Sequence, residues 1–209
     1  MRHMKKTAVL MDLGFVLQKL YKLLGNRHAT ANEVRDFAHR CISADEELFR
    51  IYCYHCNPYD QQKVHPFTRT IVDFAATPQF AGMSRLIREL KVLDNIAFRS
   101  GELSFDGWAI KKRSADEIMA TGRALVDTDF APILKQKLVD MKIGLDAAWL
   151  ASKRIVDRVI LVTVDSDFIP AMKFARREGV QVVLVTLGHL MIKRELKEHA
   201  DELRNVTYP

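Results

Sequence analysis

Residues 159–185 read VILVTVDSDFIPAMKFARREGVQVVLV, and this stretch decides the fold. Val159–Val164 and Val180–Val185 are short runs rich in valine, which is typical of strands buried on both faces of a sheet. The segment between them has a helical pattern, with Pro170 in its first turn and Gly179 at its end. Because a strand–helix–strand unit closes through a right-handed crossover, we expect the two strands to be parallel.

Two further apolar runs lie toward the N-terminus, at Thr7–Met11 and Leu48–Cys53, and predict two more buried strands. Helical patterns alternate with the strands. Thr30–Glu33 and Ser114–Glu117 fit capping boxes at helix starts, and Ile143–Arg154 predicts a helix before the last pair of strands. Strands that alternate with helices predict an α/β fold, a Rossmann-like three-layer sandwich around a central, mainly parallel sheet.

The middle of the chain fits this alternation less well. Ile96–Phe105 and Trp108–Ile110 resemble two short strands, and the Asp106-Gly107 pair between them predicts a β-hairpin turn. We therefore predict that residues 1–209 form a single domain and that residues 57–112 are an insertion or elaboration within it.

Composition excludes several classes of protein. The chain has 209 residues, of which 48% are hydrophobic, and 32 Lys and Arg face 26 Asp and Glu, for a net charge of +6. This composition is typical of a globular protein, and the mild basic excess is compatible with a polyanionic partner. No run approaches the roughly 18 apolar residues of a membrane span, and the first residues lack a signal peptide's apolar stretch. We expect a cytoplasmic protein with no membrane partner, for which a homo-oligomer is left open.

The three cysteines are too few and too irregular for a disulfide framework, which favours a reducing compartment. Cys53 and Cys56, with His65 nearby, invite a zinc interpretation. However, no second ligand pair follows at a suitable spacing, and Cys53 lies inside a predicted strand. Buried structural cysteines are therefore the preferred interpretation.

Acidic residues stand where predicted strands end. Asp12 follows the first strand, Asp165 follows Val159–Val164, and Asp167 comes two residues later. In an open parallel sheet, ligands bind beyond the carboxyl ends of the strands. The alternative is that Ser166 or Asp167 caps the next helix. Two acidic strand ends, each after an apolar run, favour a functional site.

Asp140 and Asp146 are further candidates. A spacing of six residues places them about 120° apart on one continuous helix. Both can face one site only if Asp140 lies before the helix or in its first turn. The alternative for Asp146 is a surface pair with Lys142 at the i,i+4 spacing.

Carboxylates that converge repel one another, and a hard divalent cation such as Mg²⁺ or Mn²⁺ offsets that repulsion through oxygen ligands. Such a cation activates water and stabilises charge on a phosphate, as hydrolysis of a phosphodiester bond requires. Lys137, Lys142 and Ser166 are candidate contacts to such a substrate. For the two lysines the alternative is a solvated helix face.

Three stretches of the sequence carry a family resemblance. They are Asp12, the run QKLVDMKIGLD at 136–146, and the run DSDF at 165–168 followed by ARREGV at 175–180. In this order they resemble the NYN domain family of PIN-like ribonucleases, most closely its LabA-like bacterial branch. The resemblance implies a Rossmann-like fold, divalent-metal nuclease chemistry and an RNA substrate. It also implies that the family's acidic positions are Asp12, Asp140, Asp146, Asp165 and Asp167.

On this basis the predicted function is metal-dependent hydrolysis of RNA in RNA processing or turnover. Asp12, Asp165 and one of Asp140 and Asp146 are expected to hold Mg²⁺ or Mn²⁺. Asp167 is expected to bind the cation through water or to position the nucleophile.

Two departures from the family pattern keep alternatives open. The family usually reads Asp-Gly-x-Asn after the first strand, whereas Phe15 stands at the amide position here. A Ser-Gly pair usually precedes the Asp-x-Asp motif, whereas this chain has Thr163 and Val164. The first alternative is therefore an RNA-binding or regulatory module without catalysis. A Mg²⁺-dependent phosphatase of the haloacid dehalogenase type is disfavoured, because it needs an acid where Gly14 stands.

Overall fold

A computed structural model describes residues 4–189 and 191–209 of the chain. In chain order its helices and strands are β1 (Lys5–Asp12), α1 (Leu13–Leu23), α2 (Ala31–Arg40), β2 (Glu46–Cys56), β3 (Gln62–Val64), β4 (Ile71–Asp73), α3 (Pro78–Leu90), β5 (Ile96–Ile110), α4 (Lys112–Thr121), β6 (Phe130–Lys137), α5 (Val139–Ser152), β7 (Arg158–Val162), α6 (Ile169–Arg177), β8 (Gln181–Val185), α7 (Arg194–Glu198) and β9 (Glu202–Arg204). Short 3₁₀ turns lie at Phe74–Ala76, Asp127–Asp129 and Ser166–Phe168.

The chain divides into two compact units. The first contains the residues up to His55, together with Leu86–Gly101 and Leu138–Pro209. The second contains Cys56–Arg85 and Glu102–Lys137. The predicted single domain with an insertion at 57–112 stays a prediction.

The first unit is built on a mostly parallel sheet flanked by helices, which confirms the predicted α/β class. Its strand order is β5-β2-β1-β7-β8-β9, to which β5 contributes its first residues. β1 lies between β2 and β7 and is parallel to both, and β7, β8 and β9 continue in parallel. The strand–helix–strand unit predicted from residues 159–185 is therefore confirmed, with α6 between β7 and β8 and Pro170 in its first turn.

The sequence pattern explains the core of this unit. The interior of β1, Ala8–Met11, is completely buried, as expected of a central strand covered on both faces. Helix α2 begins with the predicted capping box: Glu33 N–H donates to Thr30 Oγ1 over 3.3 Å, and Thr30 N–H donates to the Glu33 carboxylate over 2.8 Å. Tyr208 packs its ring edge against Phe37 in the core.

The second unit corrects two predictions. β5 continues through Asp106 and Gly107 as one strand and pairs antiparallel with β6, so the predicted hairpin is wrong. The pairing register shifts between Phe105 and Trp108, where Gly107 has φ 98°, which is the geometry of a bulge. The second predicted capping box is also wrong, because α4 begins at Lys112, two residues before Ser114, and its N-cap residue makes no side-chain hydrogen bond.

All three cysteines are buried, as the structural interpretation of these residues predicted. Burial raises the pKa of the Cys53 thiol to about 12. In the described part of the chain, no helix is both long enough and apolar enough to cross a membrane.

Candidate functional site

The candidate site lies in the first unit, where β1 and β7 end side by side. Met11 pairs with Val162 in register, so the residues that follow both strands emerge at the same edge of the sheet. Asp12 ends β1. β7 ends at Val162, and Asp165 follows after Thr163 and Val164. The predicted meeting of two acidic strand ends therefore has the required topology.

Asp12 is half-buried and caps the helix that follows it. Its carboxylate accepts a hydrogen bond from Phe15 N–H over 3.3 Å. Burial raises the pKa of Asp12 above its ordinary value, and the negative charges of Asp140 and Asp165 raise it further. Backbone hydrogen bonds from Phe15 and Gly14 oppose this change without cancelling it. Asp12 therefore combines a local capping role with close electrostatic coupling to two other candidate residues.

Asp165 is exposed and caps the short 3₁₀ turn Ser166–Phe168, because its Oδ1 accepts a hydrogen bond from Asp167 N–H over 2.9 Å. Its own N–H donates to Oγ1 of the fully buried Thr163 over 3.1 Å. The capping residue here is therefore Asp165, and not Ser166 or Asp167 as the alternative in the sequence analysis had it. Helix α6 itself begins without a side-chain cap.

Asp140 lies in the first turn of α5, which is the condition the spacing argument set for it. The residue before the helix, Leu138, has φ 71°, a left-handed conformation that is uncommon for leucine. Partial burial raises the pKa of Asp140, and so do the charges of Asp165 and Asp167. Four predicted residues are therefore linked by charge, because Asp140 and Asp165 act on Asp12, and Asp165 and Asp167 act on Asp140. We call Asp12, Asp140, Asp165 and Asp167 the acidic cluster.

Asp146 has different partners. Its Oδ2 accepts one hydrogen bond from Tyr54 Oη and another from Arg99 Nε, each over 2.9 Å. The surface pair with Lys142 does not form, because Lys142 Nζ donates to the backbone carbonyl of Ser100. Asp146 is thus neutralised by an arginine, whereas the acidic cluster is not paired with any described cation.

Arg99 and Tyr54 are the residues that sequence reasoning missed. Tyr54 is completely buried, and its pKa is raised by burial first and then by the charge of Asp146. Arg99 lies on β5, and burial works against its charge, but the bond to Asp146 leaves its pKa raised. No local signal identifies either residue, because each contacts Asp146 from a distant part of the sequence.

The predicted substrate contacts are distributed unevenly. Lys137 ends β6 in the second unit and is exposed. Lys142 is half-buried, and its Nζ donates a hydrogen bond to the backbone carbonyl of Ser100. Ser166 accepts a hydrogen bond from Lys193 Nζ over 2.8 Å. A cation therefore stands directly beside the acidic DSDF turn, at a position that the sequence motifs did not indicate.

The two departures from the family pattern occupy defined places. The Phe15 ring meets His189 edge-on at a centroid distance of 6.4 Å, and His189 in turn hydrogen-bonds Lys19 over 3.0 Å. Val164 is half-buried beside Asp165. An apolar ring therefore stands where the family pattern has an amide.

The chemistry of the acidic cluster suits a divalent cation. Carboxylates are the oxygen ligands that Mg²⁺ and Mn²⁺ prefer, and a cation among them would relieve the repulsion that raises the pKa of Asp12 and Asp140. Nevertheless, within residues 4–189 and 191–209, no three His, Cys, Asp or Glu side chains are arranged to hold an ion. The carboxylates of the acidic cluster therefore suit a divalent cation in charge and in ligand type, but they are not arranged as a closed binding site.

Comparisons with known proteins place the chain in a family without naming an activity. A model of the NYN domain matches residues 7–206. The uncharacterized protein MJ0482 of Methanocaldococcus jannaschii is 31% identical over 62 residues, which are 30% of this chain and 26% of that protein. The match thus spans about a quarter of the curated relative.

Among solved structures, the crystal structure of a protein of unknown function, VPA0982 from Vibrio parahaemolyticus RIMD 2210633, has a TM-score of 0.53 to this chain. The two are 18% identical, and the alignment covers 99% of this chain and 96% of that one. At this identity the similarity shows the fold alone.

Proposed function

The chain belongs to the NYN domain family, and from that premise we propose that it is a metal-dependent ribonuclease that hydrolyses RNA phosphodiester bonds. NYN domains belong to the PIN-like nuclease superfamily, which supports nuclease activity and an RNA partner. The proposal extends to a Rossmann-like PIN fold, to the LabA-like branch, to residues 57–112 as an elaboration of one domain, and to a cytoplasmic role in RNA processing or turnover.

One observation carries the proposal: four carboxylates are coupled through their charges, and none of them forms an ion pair with a described cation. Asp12 and Asp140 have raised pKa values partly because each lies in the field of other members of the acidic cluster. A fold retains unfavourable repulsion of this kind when a ligand or a reaction needs it. A divalent cation with a phosphate substrate is the ligand whose charge matches.

The roles follow from these positions. Asp12, Asp140 and Asp165 would hold Mg²⁺ or Mn²⁺, which when bound supplies an activated water and stabilises charge on the phosphate. Of Asp140 and Asp146 we choose Asp140, because Asp146 is already paired with Arg99. Asp167, whose N–H is held by Asp165, would position the attacking water. Lys193, beside Ser166, is an exposed cation available to the RNA backbone, and the exposed Lys137 of the second unit stays a separate proposed contact.

The test is cleavage of a labelled single-stranded RNA by the purified chain with Mn²⁺, with Mg²⁺ or with EDTA. We expect cleavage with the metals and none with EDTA. Asp165→Ala should lower the rate by about 100-fold or more while RNA binding persists, because a group that stabilises developing charge is lost. Asp94→Asn is the matched control, since Asp94 is an exposed acid of the same unit.

A second candidate function is an RNA-binding or regulatory module without catalysis. Two observations favour it: Phe15 packs on His189 where the family has an amide, and the described acidic side chains are not closed around an ion site. RNA binding without metal-dependent cleavage would establish this function and overturn the ribonuclease.

A further inference from the structure

The Arg99 guanidinium is hydrogen-bonded through Nε and has its two Nη groups free of hydrogen bonds to the described chain. Its Nε donates to Asp146 Oδ2 over 2.9 Å, and its guanidinium lies over the Tyr52 ring, 5.4 Å from the centroid. Its Nη1 and Nη2 donate no hydrogen bond to any part of the chain that the structure describes, and 42% of the side chain is exposed. The double-donor edge of the guanidinium is therefore held in a fixed orientation and left without an acceptor.

The anchor of Arg99 is itself held from inside the fold. Tyr54 Oη donates to the same oxygen of Asp146, over 2.9 Å, and the Tyr54 ring is completely buried and stacks on Tyr52 at a centroid distance of 6.3 Å. Asp146 is consequently fixed by a donor that cannot move without disturbing the core. This arrangement orients Arg99 at little entropic cost when it binds a ligand.

The pair also stands beside the acidic cluster. Tyr54 on β2 pairs in register with Asp12 on β1, and neighbouring strands lie about 4.8 Å apart. Asp146 is on α5, the helix whose first turn carries Asp140. Arg99 is therefore joined to α5, which carries Asp140, and to β2, the strand next to the one that ends at Asp12.

A purely structural tie does not account for this arrangement. β5 is already joined to α5 by the hydrogen bond from Lys142 to the carbonyl of Ser100, next to Arg99. An arginine with a purely structural role also tends to bind a carboxylate through two N–H groups at once, since such a bidentate pair is stronger than a single hydrogen bond. Here only Nε is used, so the fork faces outward.

We propose that Arg99 binds a phosphate of the RNA backbone beside the acidic cluster, and that Asp146 positions Arg99 instead of binding metal. A guanidinium fork matches two phosphate oxygens, and the Nη1 and Nη2 atoms of Arg99 are the donors left open for them. This inference rests on the proposed function for its ligand, but it concerns binding and does not require cleavage.

The experiment measures binding of a fluorescent single-stranded RNA in EDTA at several salt concentrations. We expect Arg99→Gln to weaken binding about ten-fold and to make the salt slope shallower by about 0.7, the value for one phosphate contact on a single strand. Arg99→Lys should restore part of the affinity, because the charge returns without the fork. Arg35→Gln, which removes a half-buried arginine paired with Asp36 on α2, should bind like the wild type.

The positioning role has its own variants. Tyr54→Phe removes the hydroxyl without changing charge, so it should weaken RNA binding about three-fold in the wild-type background and not at all in Arg99→Gln. Asp146→Asn should leave the Mn²⁺ concentration for half-maximal thermal stabilisation unchanged. Thermal unfolding of each variant checks that the fold survives, and the Asp146→Asn, Arg99→Gln double variant avoids leaving a carboxylate unpaired.

The outcomes separate the proposals. Arg99→Gln that binds RNA like the wild type overturns the phosphate site. Asp146→Asn that raises the Mn²⁺ requirement about ten-fold makes Asp146 a metal ligand and overturns its positioning role. A wild type that binds RNA without cleaving it contradicts the ribonuclease alone, and the Arg99 assignment is still decided by the binding data.

Discussion

At the scale of single residues, the charges of the acidic cluster that suit a metal ion also destabilise the folded chain. Asp12 and Asp140 carry raised pKa values, which means that the folded chain holds their protons up to a higher pH than the unfolded chain does. By linkage, the contribution of these groups to the free energy of unfolding falls as pH rises from the ordinary pKa of aspartate through the raised value. At neutral pH the charged cluster therefore destabilises the apo protein.

Removing one charge from the acidic cluster should accordingly stabilise the fold. In EDTA at neutral pH, Asp140→Asn is expected to raise the thermal midpoint, by on the order of 1–2 °C for an exposed site. At pH 3 the gain should vanish, because the wild-type carboxylate is then protonated. Differential scanning fluorimetry at both pH values measures this.

Asp94→Asn serves as the control for Asp140→Asn, because it removes an acid that lies outside the acidic cluster. Added Mn²⁺ should then raise the midpoint of the wild type and of Asp94→Asn more than that of Asp140→Asn, since a ligand stabilises only the chain that binds it. A lower midpoint for Asp140→Asn in EDTA would show that Asp140 supports the fold and that repulsion is not its main effect.

Leu138 is strained at the start of α5. Its φ of 71° is costly for a side chain with a Cβ, and 38% of the residue is exposed, so the side chain lies outside the closed core. Leu138→Gly should stabilise the protein by about 1 kcal/mol, which is about 2–4 °C for a chain of this size. Leu145→Gly, in the interior of the same helix, should do the opposite by about 1 kcal/mol. Equal destabilisation by both would contradict strain at Leu138.

The sequence indicated some site residues and missed others for a physical reason. Asp12 and Asp165 were predictable, because apolar runs mark the strands and parallel strands end at one edge. The partner of Asp146 was not predictable. The local i,i+4 rule favoured Lys142, yet Asp146 binds Arg99, 47 residues away in sequence, because the fold brings a stronger donor within reach.

At the scale of elements, long-range pairing overrides a local turn signal in β5. Asp106-Gly107 is a strong hairpin motif in isolation. Residues on both sides of it nevertheless pair with the same strand, β6, and Asp106 forms an ion pair with Lys135 on that strand. Gly107 therefore forms a bulge within β5 and not a hairpin turn. The buried strands of the first unit were predictable because burial on both faces leaves an unbroken apolar run, which β5 lacks.

The capping box of α2 offers a test at this scale. Thr30→Ala removes the acceptor for Glu33 N–H and should cost about 1 kcal/mol.

Arg27 and then the Thr30 backbone lower the pKa of Glu33 to about 2, so this carboxylate stabilises the fold above its ordinary pKa. That contribution is lost as pH falls toward 2. Urea unfolding at neutral pH measures the cost, with Asn32→Ala as the control that leaves the cap intact; equal stability of the two variants would contradict the cap's role.

At the scale of the whole molecule, the carboxylates of the candidate site and the most deeply buried carboxylates are different residues. Within the acidic cluster Asp12 is half-buried, whereas Asp140, Asp165 and Asp167 are largely exposed. Glu46, by contrast, is deeply buried, as is Asp129 of the second unit, and it lies at the start of β2, away from the strand ends that carry the site. Its role is therefore structural, and it joins strands that are distant in sequence.

Glu46 connects β2 to β7 and β9 through two arginines. Arg158 pairs with its Oε1, and Arg204 donates to both of its oxygens, over 2.9 and 3.0 Å. Burial alone would raise the pKa of Glu46, but the hydrogen bonds from Arg204 and Arg158 bring it below the ordinary value. The stabilisation is therefore present at neutral pH and decreases as pH falls through the ordinary pKa of glutamate toward the lowered one.

Glu46→Gln removes the buried carboxylate that Arg158 and Arg204 share, and leaves them only the exposed carboxylates of Asp45 and Glu202. Removing one partner of a buried pair costs about 3 kcal/mol or more. We expect the thermal midpoint to fall by roughly 6–12 °C. Glu202→Gln is the matched control, because Glu202 pairs with the same Arg204 but is 41% exposed, and it should cost less than about 1 kcal/mol. A pH series should show the two variants converging as the pH falls toward 2, since protonation then neutralises Glu46 in the control as well. Equal midpoints at neutral pH would mean that apolar packing, and not this ion pair, holds β9 to the sheet.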